Sequence, residues 1–267
     1  MGQFLSIAST VSILLRNAYR VLYLWLTNQS RLVQQGFQLA SFFNPTLITV
    51  FSRVYSESLL IQYVFKHGQE GDADQILKTL DNFARNEMFL MNVGDVKGKH
   101  VEEIVQREKP KIMVELGAFM GYSAIAFAKN LPPGGKYYSF EINPLYAAIA
   151  TKIVEFAGLK DKVTVVVGAF GDKYQLLKER YGVDKVDIFF IDHWKDMYLP
   201  DVKTIIGSGL LKKGSVIIAD NTVTPGTPDY LKFIRAHPRF ENRTIWSELE
   251  YMPAVKDALE VSTYQGE

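Results

Sequence analysis

The chain has 267 residues, 48% of them hydrophobic, and a formal net charge of +1. That is enough apolar material for a sizeable α/β core, and the charges are spread with no basic tract or acidic tail, which argues against nucleic-acid binding and against a disordered chain. There is no cysteine, which excludes disulfides, thiolate nucleophiles and Cys-ligated zinc.

Residues 1 to about 60 differ in character from the rest. They are rich in apolar and aromatic residues, and their few charges are mostly positive: Arg16, Arg20, Arg31 and Arg53 against Glu57. The apolar run Phe4 to Leu15 is too short to span a bilayer. Three readings stand for residues 1–60: an apolar helical segment packed on the domain or on a second subunit, an interfacial helix making peripheral membrane contact, or a single tilted span. Met1-Gly2-Gln3-Phe4-Leu5-Ser6 fits the pattern for N-myristoylation of Gly2. Residues 61–267 are expected to form the functional domain, as a cytoplasmic monomer with any membrane association through the N-terminal segment.

Elements follow in order. Asp72 to Phe89 has helical spacing of Ile76, Leu77, Leu80, Phe83 and Ala84. Met91 to Asp95 reads as a loop and Val101 to Arg107 as a second helix. Lys111 to Glu115 is a strand, Ser123 to Lys129 a helix, Lys136 to Glu141 a strand, Pro144 to Ala157 a helix closed by Gly158, Val163 to Val167 a strand and Asp172 to Tyr181 a helix. Val186 to Ile191 is a strand, Pro200 to Ser208 a helix, Ser215 to Ala219 a strand and Thr227 to Ala236 a helix. Thr244 to Leu249 and Leu259 to Tyr264 read as a closing pair of strands. Strands alternate with helices and are almost wholly apolar. The fold class is therefore α/β, a Rossmann-like, mostly parallel sheet flanked by helices, with a C-terminal antiparallel addition.

Ligands in such sheets bind outside the carboxyl ends of the strands. Asp192 and the pair Asp220-Asn221 stand at two such ends. Three hard oxygen ligands suit Mg²⁺ and leave positions for water and substrate, and Lys195 follows three residues after the first. Glu115-Leu116-Gly117-Ala118-Phe119-Met120-Gly121 follows the first domain strand. Its Gly-x-x-x-Gly spacing lets backbone approach a ligand without making a pyrophosphate cradle. Glu141 ends the next strand, where an acid accepts ribose hydroxyls. An adenosine cofactor without a diphosphate fits, and S-adenosylmethionine is the obvious one. Singly, each residue has a plainer reading: an Asp at a strand end is more often a cap or turn former, Lys195 a solvated lysine, His193 a structural histidine and Trp194 a core residue.

The blocks Met91 to Asp95, Val114 to Ala118, Gly121-Tyr122-Ser123, Glu141 to Pro144, Asp192-His193-Trp194-Lys195-Asp196, Ala219 to Asn221, Pro225 to Asp229 and Leu249-Glu250-Tyr251 together resemble the catechol O-methyltransferase family, in family order from about Gln62 to Gly266. The resemblance implies methyl transfer from S-adenosylmethionine to one hydroxyl of a Mg²⁺-chelated small-molecule catechol. It implies Asp192, Asp220 and Asn221 as metal ligands, Lys195 as general base, and Glu250 as partner of the second hydroxyl. Val93, Glu115, Gly117, Tyr122, Ser123, Glu141, Ile142, Asp192 and His193 would line the cofactor. Trp194, Asn221, Pro225, Glu250 and Phe89 would line the substrate slot. Phe89 stands where the familiar mammalian enzymes have a gating tryptophan, and Phe170-Gly171 where they have a Ser-Gln pair near the adenine. The rival readings are a related metal-dependent enzyme acting on caffeoyl-type phenylpropanoids, and a non-catalytic membrane-associated binding protein of the same fold.

Overall fold

A computed structural model describes residues 57–266. The expectations for residues 1–56, including the lipidation pattern at Gly2 and the membrane readings, lie outside the described residues. Among the described residues no helix is long and apolar enough to cross a membrane. Residues 57–67 are helical, and the chain from Tyr63 on groups as one unit.

After residue 67 comes α1 (Ala73–Asn86), whose N-cap Asp72 accepts from the Gln75 backbone N–H, satisfying a donor the helix itself leaves open. Then come α2 (Gly94–Glu108), β1 (Ile112–Leu116), α3 (Tyr122–Ala128), β2 (Lys136–Glu141), α4 (Pro144–Phe156) and β3 (Val163–Val167). Two single-turn helices, α5 (Phe170–Lys173) and α6 (Leu176–Glu179), precede β4 (Ile188–Ile191). A 3₁₀ turn at Lys195–Met197 leads into α7 (Tyr198–Gly207), followed by β5 (Val216–Ala219), a π turn at Thr222–Gly226, α8 (Pro228–Ala236), β6 (Phe240–Leu249) and β7 (Met252–Tyr264).

The seven strands lie in the order β3-β2-β1-β4-β5-β7-β6. The first five are parallel, and β7 runs antiparallel to both neighbours. The expected α/β class and antiparallel addition are both present. Order reverses between β2-β1 and β4, so a crevice opens above the carboxyl ends of β1 and β4, the usual ligand position in such sheets. Helices cover both faces because the central strands are buried on both: on one face Val114, Leu116, Phe189, Ile191, Ile217 and Ala219 share a core with Tyr198, Val202, Ile205 and Ile234, and on the other Met113, Phe190 and Ile218 are fully buried, with Phe190 edge-on to Phe127 of α3 at 5.1 Å.

The departures have local causes. Helix α2 starts well before Val101. Gly98 packs close to Val93 and Tyr122 and Lys97 is buried by carboxylates from elsewhere, so tertiary contacts override the weak helical signal of Gly94 and Gly98. The helix expected over Asp172 to Tyr181 breaks after Tyr174, where the chain takes a tighter step through a Leu177 N–H to Tyr174 carbonyl bond of 3.0 Å. The closing strands are longer than their apolar runs, pairing from Phe240↔Tyr264 to Leu249↔Met252. Glu250 and Tyr251 alone form the turn, with Tyr251 at φ 56°. Edge strand β6 is half-exposed and the first half of β7 is mostly exposed, which hides them from an apolar-run reading. Glu115 and Ser139, side by side in the register of β1 and β2, are fully buried polar residues in strands expected to be apolar.

Phe189 is fully buried at the sheet centre. Phe189→Ala is expected to cost about 3–5 kcal/mol, read as a lowered urea midpoint with an unchanged slope. A shift under about 1 kcal/mol would contradict this placement of the core.

Candidate active site

Three strand ends meet in sequence across the sheet. The Gly117 N–H donates to the Phe140 carbonyl at 2.8 Å, Asp192 N–H to Leu116 carbonyl at 3.0 Å, and Asp220 N–H to Ile191 carbonyl at 3.0 Å. The sheet register itself therefore sets Gly117, Asp192 and Asp220 side by side at the carboxyl edge.

The loop after β1 is held from two sides. Gly117 adopts φ 106°, and a Cβ there would lie 2.5 Å from the Asp192 carbonyl oxygen and 3.0 Å from His193 Cβ, so only glycine fits. Phe119 takes a positive φ of 45°, held by its N–H donating to Glu141 Oε2 at 2.9 Å. The other Glu141 oxygen accepts from Asn143 N–H at 2.8 Å. Glu141 thus ties the end of β2 to the glycine loop, with Ile142 largely exposed beside it. Below the loop Glu115 is 0% exposed and accepts from the Ser123 and Ser139 hydroxyls. Burial outweighs those hydrogen bonds and pushes its carboxyl up to about 7. Tyr122, expected near the cofactor, turns its hydroxyl to Asp81 on α1, and Val93 is fully buried at the start of α2.

The 3₁₀ turn after β4 brings Lys195 back over the strand end. Its Nζ lies 3.2 Å from Asp192 Oδ1 and 2.9 Å from Asn221 Oδ1, and it hydrogen-bonds the Tyr198 hydroxyl. Asn221 follows Asp220 in the left-handed region, φ 53°, which Asn tolerates better than most residues. Asp192 and Asp220 are both pushed above the usual carboxylate range, chiefly by burial, with Lys195 and Lys97 pulling the other way. Asp220 Oδ2 is buried with no hydrogen-bond partner, while Oδ1 pairs with Lys97 Nζ at 2.7 Å. A buried carboxylate oxygen aimed at nothing is a costly arrangement, and it fits a cation ligand. Among the described residues no three His, Cys, Asp or Glu side chains converge as a metal cage; the oxygen set here is two carboxylates and one amide.

His193 stacks on Tyr198, centroids 5.3 Å apart, with Nε2 at 2.7 Å from Asp201 Oδ2. Its buried Nδ1 has no partner. Trp194 is 72% exposed, its indole donating to Asp196 at 3.0 Å, so it is a surface wall and not core. Phe89 sits edge-on to Tyr251 at 6.5 Å, and Pro225 is exposed in the turn after β5. Phe170 is a core residue against Phe140 and Phe189, and a Cβ on Gly171 would lie 3.2 Å from Asp201 Oδ1. Glu250, at the hairpin tip, reaches back: its Oε2 accepts from Lys97 at 2.9 Å and from Asn221 Nδ2 at 3.2 Å.

An O-methyltransferase family model matches residues 68–229. Catechol O-methyltransferase of Mus musculus is 44% identical over 210 residues, covering 79% of each chain. This chain is a member of the catechol O-methyltransferase family. Catechol O-methyltransferase B of Danio rerio is 38% identical over 250 residues, 92% of this chain and 94% of that one. A solved O-methyltransferase from Streptomyces achromogenes, involved in tomaymycin synthesis, superposes with a TM-score of 0.63 at 23% identity, over 80% of this chain and 95% of its own, and shows the shared fold.

Four residues of this catechol O-methyltransferase family member were not evident from its motifs: Lys97, Asp257, Tyr198 and Asp201. For Lys97 a signal existed. It lies four residues after Val93 and four before Val101, on the buried face of α2 once the helix is begun at Gly94. Asp257 gave none, standing with Lys256 between the apolar pairs Ala254-Val255 and Ala258-Leu259 with no motif around it.

Glu115 generates a pH prediction. Its folded-state value of about 7 exceeds the ordinary 4.5, so the folded protein binds the proton more tightly than the unfolded chain. The stability linked to that proton is fully present below pH 4.5 and lost as pH rises through 7. Relative to Glu115→Gln, the wild type is expected to lose up to about 3 kcal/mol over that window. Urea titrations of both proteins at pH 5 and pH 8 measure it; a difference that stays constant between the two contradicts the shift.

Proposed function

We propose that this protein transfers the methyl group of S-adenosylmethionine to one hydroxyl of a catechol held on Mg²⁺. The observation that carries the reading is the convergence of Asp192 Oδ1, Asn221 Oδ1 and Lys195 Nζ within 3.2 Å, next to the unpartnered Asp220 Oδ2 and the glycine loop tied to Glu141. The Lys195 ammonium already gathers two of the three proposed ligand oxygens, so they point to one place.

Asp192, Asp220 and Asn221 would hold the Mg²⁺. Once bound, the ion supplies Lewis acidity that favours the ionised form of a ring hydroxyl. S-adenosylmethionine supplies the electrophilic methyl. Lys195, three residues from Asp192 and at its side, would act as the neutral amine, its ammonium proton passed to solvent once the cation takes its place among the ligand oxygens; Nζ would then take the proton of the reacting hydroxyl from within hydrogen-bond reach. Glu250 accepts a hydrogen bond from the second hydroxyl. Requiring both a metal-side and a Glu250-side oxygen selects adjacent hydroxyls on one ring. Trp194, Pro225 and Phe89 flank the slot as apolar walls for a planar substrate, Phe89 with a smaller ring than the indole of familiar family members.

On the cofactor side, Glu141 accepts ribose hydroxyls at the end of β2, and the close approach of Gly117 to Asp192 and His193 leaves backbone without a side chain in the way. Val93, Tyr122 and Ile142 border the same crevice. Glu115 shapes it from below by fixing Ser123. His193, held by Asp201, presents Nδ1 as a polar contact. No covalent enzyme intermediate is needed. Most of the rate gain then comes from orienting the sulfonium methyl in line with the nucleophilic oxygen. The chain's retention of ligand and base residues together favours this reading over a non-catalytic binder, and Glu250 with the Asp-His-Trp-Lys-Asp block favours it over a phenylpropanoid-type enzyme.

Lys195→Ala is expected to lower kcat on dopamine by at least about 100-fold while S-adenosylmethionine binding, followed by calorimetry, stays near wild type. Wild-type turnover in that variant contradicts the base assignment. Chelation of divalent cations should stop wild-type turnover and added Mg²⁺ restore it; turnover indifferent to chelator removes the metal from the mechanism.

A further inference from the structure

Lys97 is the most completely buried cation near the site, its side chain 0% exposed. It lies on α2, outside the strand-end motifs. Its Nζ meets three carboxylates at once: Asp220 Oδ1 at 2.7 Å, Asp257 Oδ2 at 2.8 Å and Glu250 Oε2 at 2.9 Å. Asp257, also fully buried, does more than neutralise it. Asp257 Oδ2 accepts from Asn221 Nδ2 at 2.9 Å. Asp257 Oδ1 accepts from the N–H groups of Val223 and Thr224 at 3.3 and 3.0 Å, in the turn that follows Asn221.

Two orientations follow. An amide presents an acceptor on one side and donors on the other. With two carboxylates, Asp257 and Glu250, facing the NH₂ side of Asn221, its oxygen must point the other way, toward Lys195 and Asp192. For Asp220, Lys97 occupies one oxygen and leaves the other as the unpartnered one. Both proposed ligand oxygens are thereby left free by partners from α2 and the β6–β7 hairpin that occupy the opposite side of each group.

We infer that Lys97 and Asp257 are positioning residues for the metal centre, a buried ion pair that aims Asp220 Oδ2 and Asn221 Oδ1 at the cation and holds the hairpin tip bearing Glu250 beside them. The inference rests on the metal reading above.

Aiming and charge make opposite predictions for Lys97→Met. Removing a positive charge beside a ligand should tighten metal binding if charge alone mattered; loss of aim should weaken it. The full chain is titrated with Mn²⁺, free ion being followed by electron paramagnetic resonance, and folding is checked by circular dichroism and by S-adenosylmethionine calorimetry. The expected result is a 10- to 100-fold weaker Mn²⁺ affinity, the range for lost support of metal ligands, with cofactor affinity near wild type. The double variant Lys97→Met/Asp257→Asn removes the pair with no net charge change, which favours folding over leaving one buried charge unpaired. It should show the same loss. Wild-type or tighter Mn²⁺ binding in either folded variant overturns the assignment, and so does failure of both to fold, which would make the pair a fold element. If the wild type itself binds no Mn²⁺, the metal reading fails first, and the two failures are told apart.

Discussion

Four carboxylates share one cleft at the carboxyl edge of the sheet, and their mutual repulsion in a low-dielectric setting is the constraint around which this region is built. Asp192 and Asp220 arrive on β4 and β5, while Glu250 and Asp257 arrive on the β6–β7 hairpin from the other side. None can be solvated as a free carboxylate would be. Lys97 from α2 and Lys195 from the turn after β4 are inserted between them. Removing either partner of such an ion pair leaves a buried charge uncompensated, so helix, hairpin and strand ends are bound to one another by electrostatics as well as packing.

The same junction explains why the hairpin matters. Its two-residue turn places Glu250 against Lys97, while Tyr251 donates to Asp81 on α1 at 2.8 Å and Arg85 stacks over the Tyr251 ring at 5.2 Å. A Cβ on Gly94 would come within 3.0 Å of Glu250 Cβ. The tip is therefore docked on α1 and α2 at once, and these two helices flank the segment that carries Phe89 and Val93. A long antiparallel ribbon attached to a parallel sheet becomes one wall of the proposed substrate slot. On the opposite side, the glycine loop is fixed by Glu141 above and Glu115 below, so both walls of the crevice are held by buried or half-buried acids.

The alternation of strands and helices was legible because the central strands are apolar on both faces and bounded by glycine and proline. Lys136 to Glu141 and Val163 to Val167 fall where the sequence puts them. Strand-end acids were legible for the same reason: Asp192 and Asp220 interrupt apolar runs abruptly. What escaped were features whose meaning depends on distant partners. Lys97 lies ahead of the helix expected from Val101, and its role shows only when three carboxylates from 123, 153 and 160 residues away close around it. Asp257 lies ahead of the strand expected from Leu259, and its place shows only once β7 extends back to Met252. Glu115 stands in the recognised motif, yet its burial between Ser123 and Ser139 was hidden, because adjacency in a parallel register is not written in either strand alone.

The central claim is that a pair of adjacent ring hydroxyls is gripped between a metal held by Asp192, Asp220 and Asn221 and the carboxylate of Glu250. The most direct measurement is methyl transfer from labelled S-adenosylmethionine by the full chain with Mg²⁺, comparing 1,2-dihydroxybenzene with its 1,3-isomer. The account predicts a preference of at least about 100-fold for the 1,2-isomer, the scale expected when one oriented contact to the reacting group is lost, and loss of its methylation when the metal is chelated. Equal rates on the two isomers, or methylation of the 1,2-isomer that survives chelation, would contradict it.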